Sequence, residues 1–402
     1  MKDKSLVFVN STNLSIPNAS LFRWLAMLRG LIENGINVYW ISVGYEPTKE
    51  ILTDPHYSRI NFIPIIGKNK IFRKNKYFLF FYRLHLLGYI DPIFRDLKEK
   101  YPIVNCYTYN DDFIFLFNLA KICRKYNIKI FNEITEYPKL IFENISYFKR
   151  IRIYFRSRLY LKYFIPKVDH IFVISTALKE FINSYLQKYY RQIPITVLNM
   201  VIEPDRYGCS LSNNVAEYKD IVYVGTMYGD KDGVYYLLEA FLKIYRDYPD
   251  SRLILVGDNT KVSRMQKINH ILSKVSDCER IIFTGQLNRN EVIKWINSAY
   301  CLTLARPNNI QAKYGFPTKL GEYLATGKPV VITSVGDIPL FLKDGENAYI
   351  AKPDDVDSFA DKLRECLDNP ELAKLIGMKG KELVYSEFNY KEVTKNIIRA
   401  MK

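Results

Sequence analysis

Short apolar runs bounded by polar turns alternate along this chain with longer stretches whose apolar positions recur every three to four residues. SLVFVN (5–10) is the first run, and a helical pattern from Ala19 to Asn34 follows it. Gly35 stands where a helix needs a residue tolerant of positive φ, and NVYWISVG (37–44) is the next strand. This strand–helix–strand opening predicts a parallel sheet with right-handed crossovers. Further runs at IVNCYTY (103–109), IKIFNEI (128–134), HIFVIS (170–175) and ITVLNM (195–200) continue it.

The pattern then lapses. From 201 to 219 turn-forming residues cluster without periodicity, which reads as a linker. A second series begins at DIVYVGT (220–226) and continues through RLILVGD (252–258), RIIFTGQ (280–286), AYCLTLA (299–305), KPVVITS (328–334) and NAYIAK (347–352). Helical patterns at 234–248 and 290–299 separate some of them. The expected organisation is α/β: an N-terminal Rossmann-like domain (1–200), the linker, a second such domain (220–385), and a C-terminal helix (386–402) able to cross back to the first. Two such sheets are expected to face an interdomain cleft at the carboxyl ends of their strands.

The 402 residues, 48% of them hydrophobic, suffice for two buried cores. Six scattered cysteines without C-x-x-C spacing read as buried thiols of a reducing compartment. The start, MKDKSLVFVN, lacks the longer apolar core of a leader, and no apolar run reaches the roughly 18 residues of a membrane span. The expectation is a cytoplasmic protein.

Its formal net charge of +16 is concentrated in two acid-free blocks, 67–90 and YFKRIRIYFRSRLYLKYFIPK (147–167). Basic residues interleaved with aromatics suit a helix lying on anionic lipid. A solvated helix face with its aromatics on the core is the plainer alternative, and a nucleic-acid backbone is a third. No nucleic-acid module is recognisable, so no nucleic-acid partner is expected.

KYGFPTKLGEYLATGKPVV (313–331) concentrates the candidate chemistry. Gly315 and Pro317 shape a loop, Thr318, Lys319 and Leu320 open a helix, and Gly327 stops it before an apolar strand. Unpaired amides at a helix start suit phosphate, and Lys319 adds a formal charge. Glu322, one turn in, can accept two hydrogen bonds from the vicinal diol of a ribose. Phosphate beside ribose describes a nucleotide.

FPTKLGEYLATGKPVV resembles the donor-site helix of glycosyltransferase family 4, the group 1 retaining enzymes of GT-B fold. YVGTMYGDKDGVYYLLEAF (223–241), GDIPLFLKDGENAYIAKPDD (336–355) and HIFVISTALKEFI (170–182) are similar to further segments of that family. The resemblance implies that Glu322 holds the donor ribose and that the amides of Thr318, Lys319 and Leu320 face its diphosphate. The family often carries a second, sugar-binding glutamate where this chain has Tyr314. It often has an Arg where this chain has Thr226; Lys231 matches the Lys of the same clamp, and Arg306 or Lys313 can replace the missing charge. Lys231 and Lys319 would stabilise the departing diphosphate without a metal or other cofactor.

A metal-dependent route needs a D-x-D ligand set. Asp355 and Asp357 match the spelling but precede a helix, which reads as a cap; Asp111 and Asp112 read as turn residues. On the N-terminal side, Ser11, Thr12 and Asn13 follow the first strand without a glycine-rich fingerprint, and Arg23 faces cleft or solvent. FNEITEYP (131–138) ends another strand and sets Glu133 and Glu136 near the cleft, where Glu136 can orient an acceptor hydroxyl and Glu133 reads as structural. The four histidines read as structural. The resulting expectation is a retaining glycosyltransferase moving a sugar from a nucleoside diphosphate donor to a saccharide acceptor, lipid-linked and at the inner membrane surface, in surface polysaccharide assembly. A nucleotide-sugar epimerase and a non-catalytic nucleotide- or nucleic-acid-binding protein on the same scaffold are the alternatives.

Overall fold

The computed structural model describes residues 4–10, 19–43, 46–65, 76–109, 113–138, 147–189, 192–208, 218–227, 231–258, 265–274 and 279–402. Ser11, Thr12, Asn13, Asp111, Asp112 and most of the basic block at 67–90 lie outside the described residues or side chains. The chain divides into two compact units: Met1–Asn199 with Tyr390–Lys402, and Met200–Asn389.

The first unit is built on seven parallel strands in the order β3-β2-β1-β4-β5-β6-β7. They are β1 (Lys4–Asn10), β2 (Asn37–Val43), β3 (Asn61–Ile65), β4 (Ile103–Tyr109), β5 (Lys129–Ile134), β6 (His170–Val173) and β7 (Ile195–Val197). Leu6, Val7, Phe8 and Val9 are wholly buried, as expected of a strand covered on both faces. The apolar runs mark every strand except β3. Its sequence, NFIPI, contains Pro64, which cannot donate to a ladder and is tolerated because β3 is an edge.

Gly35 has φ 79° and ends the helix Ala19–Glu33, whose Trp24, Leu25 and Leu28 pack into the core. The opposite side of this helix receives the C-terminal helix Tyr390–Ala400. Gly30 makes the close approach possible, because a Cβ there would meet Thr394 Oγ1 at 2.7 Å and the Tyr390 carbonyl at 2.8 Å. Arg29 stacks over the Tyr390 ring, and the Tyr390 hydroxyl donates to Glu33 at 2.9 Å.

Helix Tyr147–Leu159 uses its aromatics differently from an ordinary core helix. Tyr147, Phe148 and Phe155 are 73%, 83% and 57% exposed, beside exposed Arg150, Arg152, Arg156 and Arg158. The continuing chain anchors it: Tyr160, Leu161, Phe164 and Ile165 are buried, and the Tyr160 hydroxyl donates to Asn132. Among the described residues no helix is long and apolar enough to cross a membrane.

The second unit has six parallel strands in the order β10-β9-β8-β11-β12-β13. These are β8 (Lys219–Val224), β9 (Ser251–Val256), β10 (Ile281–Gly285), β11 (Cys301–Leu304), β12 (Val330–Thr333) and β13 (Tyr349–Ala351). The start of the segment expected to be a linker is packed here instead. Val201, Ile202 and Tyr207 are buried, and the Ile202 amide donates to Phe388 O at 3.0 Å. Met200 and Ile202 back the helix Lys319–Ala325, where a Cβ on Gly321 would meet Met200 Sδ at 2.4 Å. One or two apolar residues carry no period, so their burial is invisible to a periodicity argument.

Candidate functional site

The strand order of the second unit reverses between β8 and β11, and open parallel sheets bind ligands outside the carboxyl ends of the strands at such a switch point. The chain leaves β8 through Gly225 and Thr226, and leaves β11 through Ala305 and Arg306. The helix Lys319–Ala325 lies between β11 and β12 in sequence, so it begins at the same end of the sheet.

Its helical hydrogen bonding starts earlier than the sequence suggests. The Leu320 amide donates to the Pro317 carbonyl at 3.0 Å, so among the three expected phosphate-facing amides this one is already engaged. Proline brings no N–H to a first turn and presets its φ, which is why the turn can begin at 317. Gly327, at φ 77°, stops the helix as expected. Gly315 has an extended backbone, so its role is steric: a Cβ would lie 2.7 Å from Gln311 O. Tyr314 ends the helix Ile310–Tyr314 and is half-buried, with the Lys313 ammonium over its ring.

Lys319 reaches back across the end of β8. Its ammonium lies 2.5 Å from Asp232 Oδ2, 3.3 Å from the Tyr223 hydroxyl and 4.9 Å from the centre of that ring. Gly225 at φ 151° leaves room for it, since a Cβ there would sit 1.9 Å from Lys319 Nζ. Asp232 also lies 3.0 Å from the Tyr223 hydroxyl and 3.9 Å from Arg306 Nε. Burial pushes the Asp232 carboxyl up, but Lys319 and Arg306 outweigh it and hold it at about 2. Burial lowers the Arg306 guanidinium, with Asp232 and Tyr223 opposing the shift. Arg306 is 2% exposed; its Nε and Nη2 make long contacts to the carbonyls of Lys231 and Gln311, at 3.4 and 3.5 Å. Lys231 and Thr226 are exposed.

One helical turn beyond Lys319, Glu322 is held in a second group. Its Oε1 accepts from the Tyr207 hydroxyl at 2.9 Å and lies 3.5 Å from Arg289 Nη1, while Arg289 Nη2 donates to Tyr207 at 2.6 Å. Burial, followed by the nearby Glu322 charge, raises the Tyr207 phenol well above its ordinary range. Asn288 and Glu291 form a capping box that fixes the start of the Arg289 helix. The Glu322 side chain, 17% exposed, is thus a carboxylate with its orientation already set.

The structure therefore brings Lys319, Arg306 and Glu322 into one neighbourhood with four residues that the sequence did not single out: Asp232, Tyr223, Tyr207 and Arg289. Asp232 adjoins Lys231 in a loop without periodicity, and Tyr207 stands in the segment read as linker. Neither gave a pattern to read. Asp355 is a cap, its Oδ1 accepting from the Ser358 amide at 2.9 Å, and Asp357 pairs with Lys243.

In the first unit, Glu136 is exposed just beyond β5, beside Thr135, whose hydroxyl meets Tyr109 at 2.9 Å. Arg23, expected to face cleft or solvent, is instead buried, because Glu133, read as structural, pairs with it in the core. Trp24 Nε1 donates to Glu133 at 3.3 Å, and Arg23 Nη2 to the Leu198 carbonyl at 2.9 Å. Burial lowers the Arg23 guanidinium, but Glu133 outweighs it and the net shift is upward.

Residues 218–369 match the family model described as glycosyl transferases group 1. An uncharacterised glycosyltransferase of Methanocaldococcus jannaschii is 26% identical over 56% of this chain and 58% of its own length. The N-acetyl-alpha-D-glucosaminyl L-malate synthase of Bacillus anthracis is 26% identical over 39% of this chain and 38% of its own. The chain thus spans less than two thirds of either relative. Among solved structures, Anabaena Alr3699/HepE in complex with UDP and glucose superposes with a TM-score of 0.71 at 13% identity, covering 99% of each chain. At that identity the likeness is one of fold. The second unit accordingly carries a group 1 glycosyltransferase domain, residues 218–369, in a chain of GT-B fold.

Proposed function

We propose that this protein is a retaining glycosyltransferase that moves a sugar from a nucleoside diphosphate donor to a saccharide acceptor. The observation that carries the reading is the pairing on one short helix of Lys319, set in a cationic cluster at the sheet's switch point, with Glu322, oriented by Tyr207 and Arg289. A diphosphate at the first and a ribose diol at the second match the charge and hydrogen-bonding capacity of these groups. The amides of Thr318 and Lys319 add donors at the helix start. Lys319 and exposed Lys231 supply positive charge for the departing diphosphate, a role that asks for no metal. Tyr314 would lie toward the donor sugar, and Glu136 would orient the acceptor hydroxyl.

The exposed aromatics and arginines of helix Tyr147–Leu159 support a lipid-linked acceptor met at an anionic membrane surface, the setting of surface polysaccharide assembly. Flotation with liposomes is expected to recover the protein with anionic vesicles and to release it at high salt. Recovery independent of anionic lipid would remove the membrane part of the proposal. The catalytic part is tested by thermal shift with UDP, GDP, ADP, CDP and a mixed oligonucleotide. One nucleoside diphosphate at about 100 times its dissociation constant should stabilise by about 2.7 kcal/mol. A shift with the oligonucleotide alone would overturn the transferase reading.

A further inference from the structure

Asp232 is an unusual companion for a phosphate site. It is 7% exposed, carries the same sign as the proposed ligand, and sits against the Lys319 ammonium intended for that ligand. A buried carboxylate is costly to leave unpaired, so Lys319 cannot simply abandon it. The second cation resolves this. Arg306 lies 3.9 Å away and is 2% exposed, and its Nη1 has no hydrogen-bond acceptor among the described residues. Its two other contacts, to Lys231 O and Gln311 O, are long. Arg306 therefore has donor capacity in reserve beside a carboxylate now held chiefly by Lys319. The cations also differ in access: the Lys319 side chain is 23% exposed and that of Arg306 3%. Lys319 can turn to a ligand, whereas Arg306 is placed only for Asp232.

We infer that Asp232 is an internal competitor of the donor diphosphate, exchanged between two cations. When a diphosphate takes Lys319, the Asp232 carboxylate passes to Arg306, and its negative charge stays paired throughout. Arg306 is then a positioning residue that lets Lys319 go; it does not itself touch the ligand. The inference rests on the proposed donor site and adds a device to it. No bond is made or broken, only ion pairs are exchanged. Its chemical class of ligand is a diphosphate, whatever nucleoside or sugar is attached.

The test uses inorganic pyrophosphate as probe, so that the nucleoside plays no part, and compares dissociation constants by calorimetry on the full chain. Asp232→Asn, which removes the competitor, should bind pyrophosphate about tenfold tighter than the natural protein. Arg306→Met leaves Asp232 dependent on Lys319 and should bind about tenfold weaker. The double variant should return to the affinity of Asp232→Asn, because Lys319 no longer has a carboxylate to leave. A double variant as weak as Arg306→Met would mean that Arg306 acts on the ligand itself and would overturn the exchange. So would weaker or unchanged binding by Asp232→Asn, or no pyrophosphate binding by any variant. If Asp232→Asn fails to fold with Arg306 left unpaired, Arg306→Met and the double variant still decide the matter. Natural protein that binds pyrophosphate in this pattern but no nucleoside diphosphate would refute the proposed function and leave the exchange standing; nucleoside diphosphate binding without the pattern would do the reverse.

Discussion

Gly233 joins the two loops that carry Asp232 and Arg306, and replacing it by alanine tests whether they are as close as described. Gly233 has φ 61°, and a Cβ there would lie 2.0 Å from the Ala305 carbonyl oxygen and 2.9 Å from its carbon. The obstacle is backbone, at the residue preceding Arg306, so no rotamer change relieves it. Placing an L side chain in the left-handed region costs about 1–2 kcal/mol. Forcing the carbonyl away adds about 1–3 kcal/mol, typical of overpacking. The sum is about 2–5 kcal/mol. At roughly 2–4 °C per kcal/mol for a domain of this size, the melting temperature should fall by at least about 4 °C. Gly345→Ala is the control: its φ is 70°, and no atom lies within 4 Å of the added Cβ, so it carries the backbone cost alone. Thermal unfolding followed by circular dichroism compares the two. The account also requires weaker pyrophosphate binding by Gly233→Ala, since the loops move apart. A Gly233→Ala protein that melts with Gly345→Ala would refute the close approach.

Other consequences follow from single groups. Asp232 is held at about 2 against an ordinary 3.8, so it contributes stability above about pH 4 that is lost as pH falls through its folded value. The amount is about 2 kcal/mol, and acid melts of Asp232→Asn should lack that part of the acid limb. Glu133→Ala leaves Arg23 charged and buried and should cost about 3–5 kcal/mol in denaturant unfolding, whereas replacing both by apolar residues of similar volume should recover most of the loss. Gly30→Ala should lower stability even though alanine is the better helix former by about 1 kcal/mol, and amide exchange over 390–400 should quicken as the C-terminal helix loosens.

The architecture was largely legible because parallel strands covered on both faces are written as continuous apolar runs, and SLVFVN and RLILVGD announce themselves. NFIPI does not, because an edge strand tolerates Pro64 and half-exposed positions. The helix Lys319–Ala325 was legible through Gly327, Lys319 and Glu322, residues whose chemistry is local. Their partners were not. Asp232, Tyr207 and Arg289 meet Lys319 and Glu322 only through chain folding, at sequence separations of 87, 115 and 33 residues (322 − 289 = 33). Leu320 is a further case: its amide is engaged by the Pro317 carbonyl, because the first turn begins at the proline. Tyr147 and Phe148 illustrate the converse, since only the structure separates aromatics left in solvent from aromatics spent on a core.

The central claim is that Lys319 and Glu322 read the two halves of a nucleoside diphosphate. Calorimetric titration of the natural protein and of Glu322→Ala with the nucleoside diphosphate that most raises the melting temperature addresses it directly. Hydrogen bonds to a charged acceptor contribute about 1.5–3 kcal/mol each, so loss of the ribose contacts should weaken binding at least about tenfold. Pyrophosphate, which has no ribose, should bind both proteins alike. Equal nucleoside diphosphate affinity in the two proteins would contradict the ribose assignment and the reading built on it.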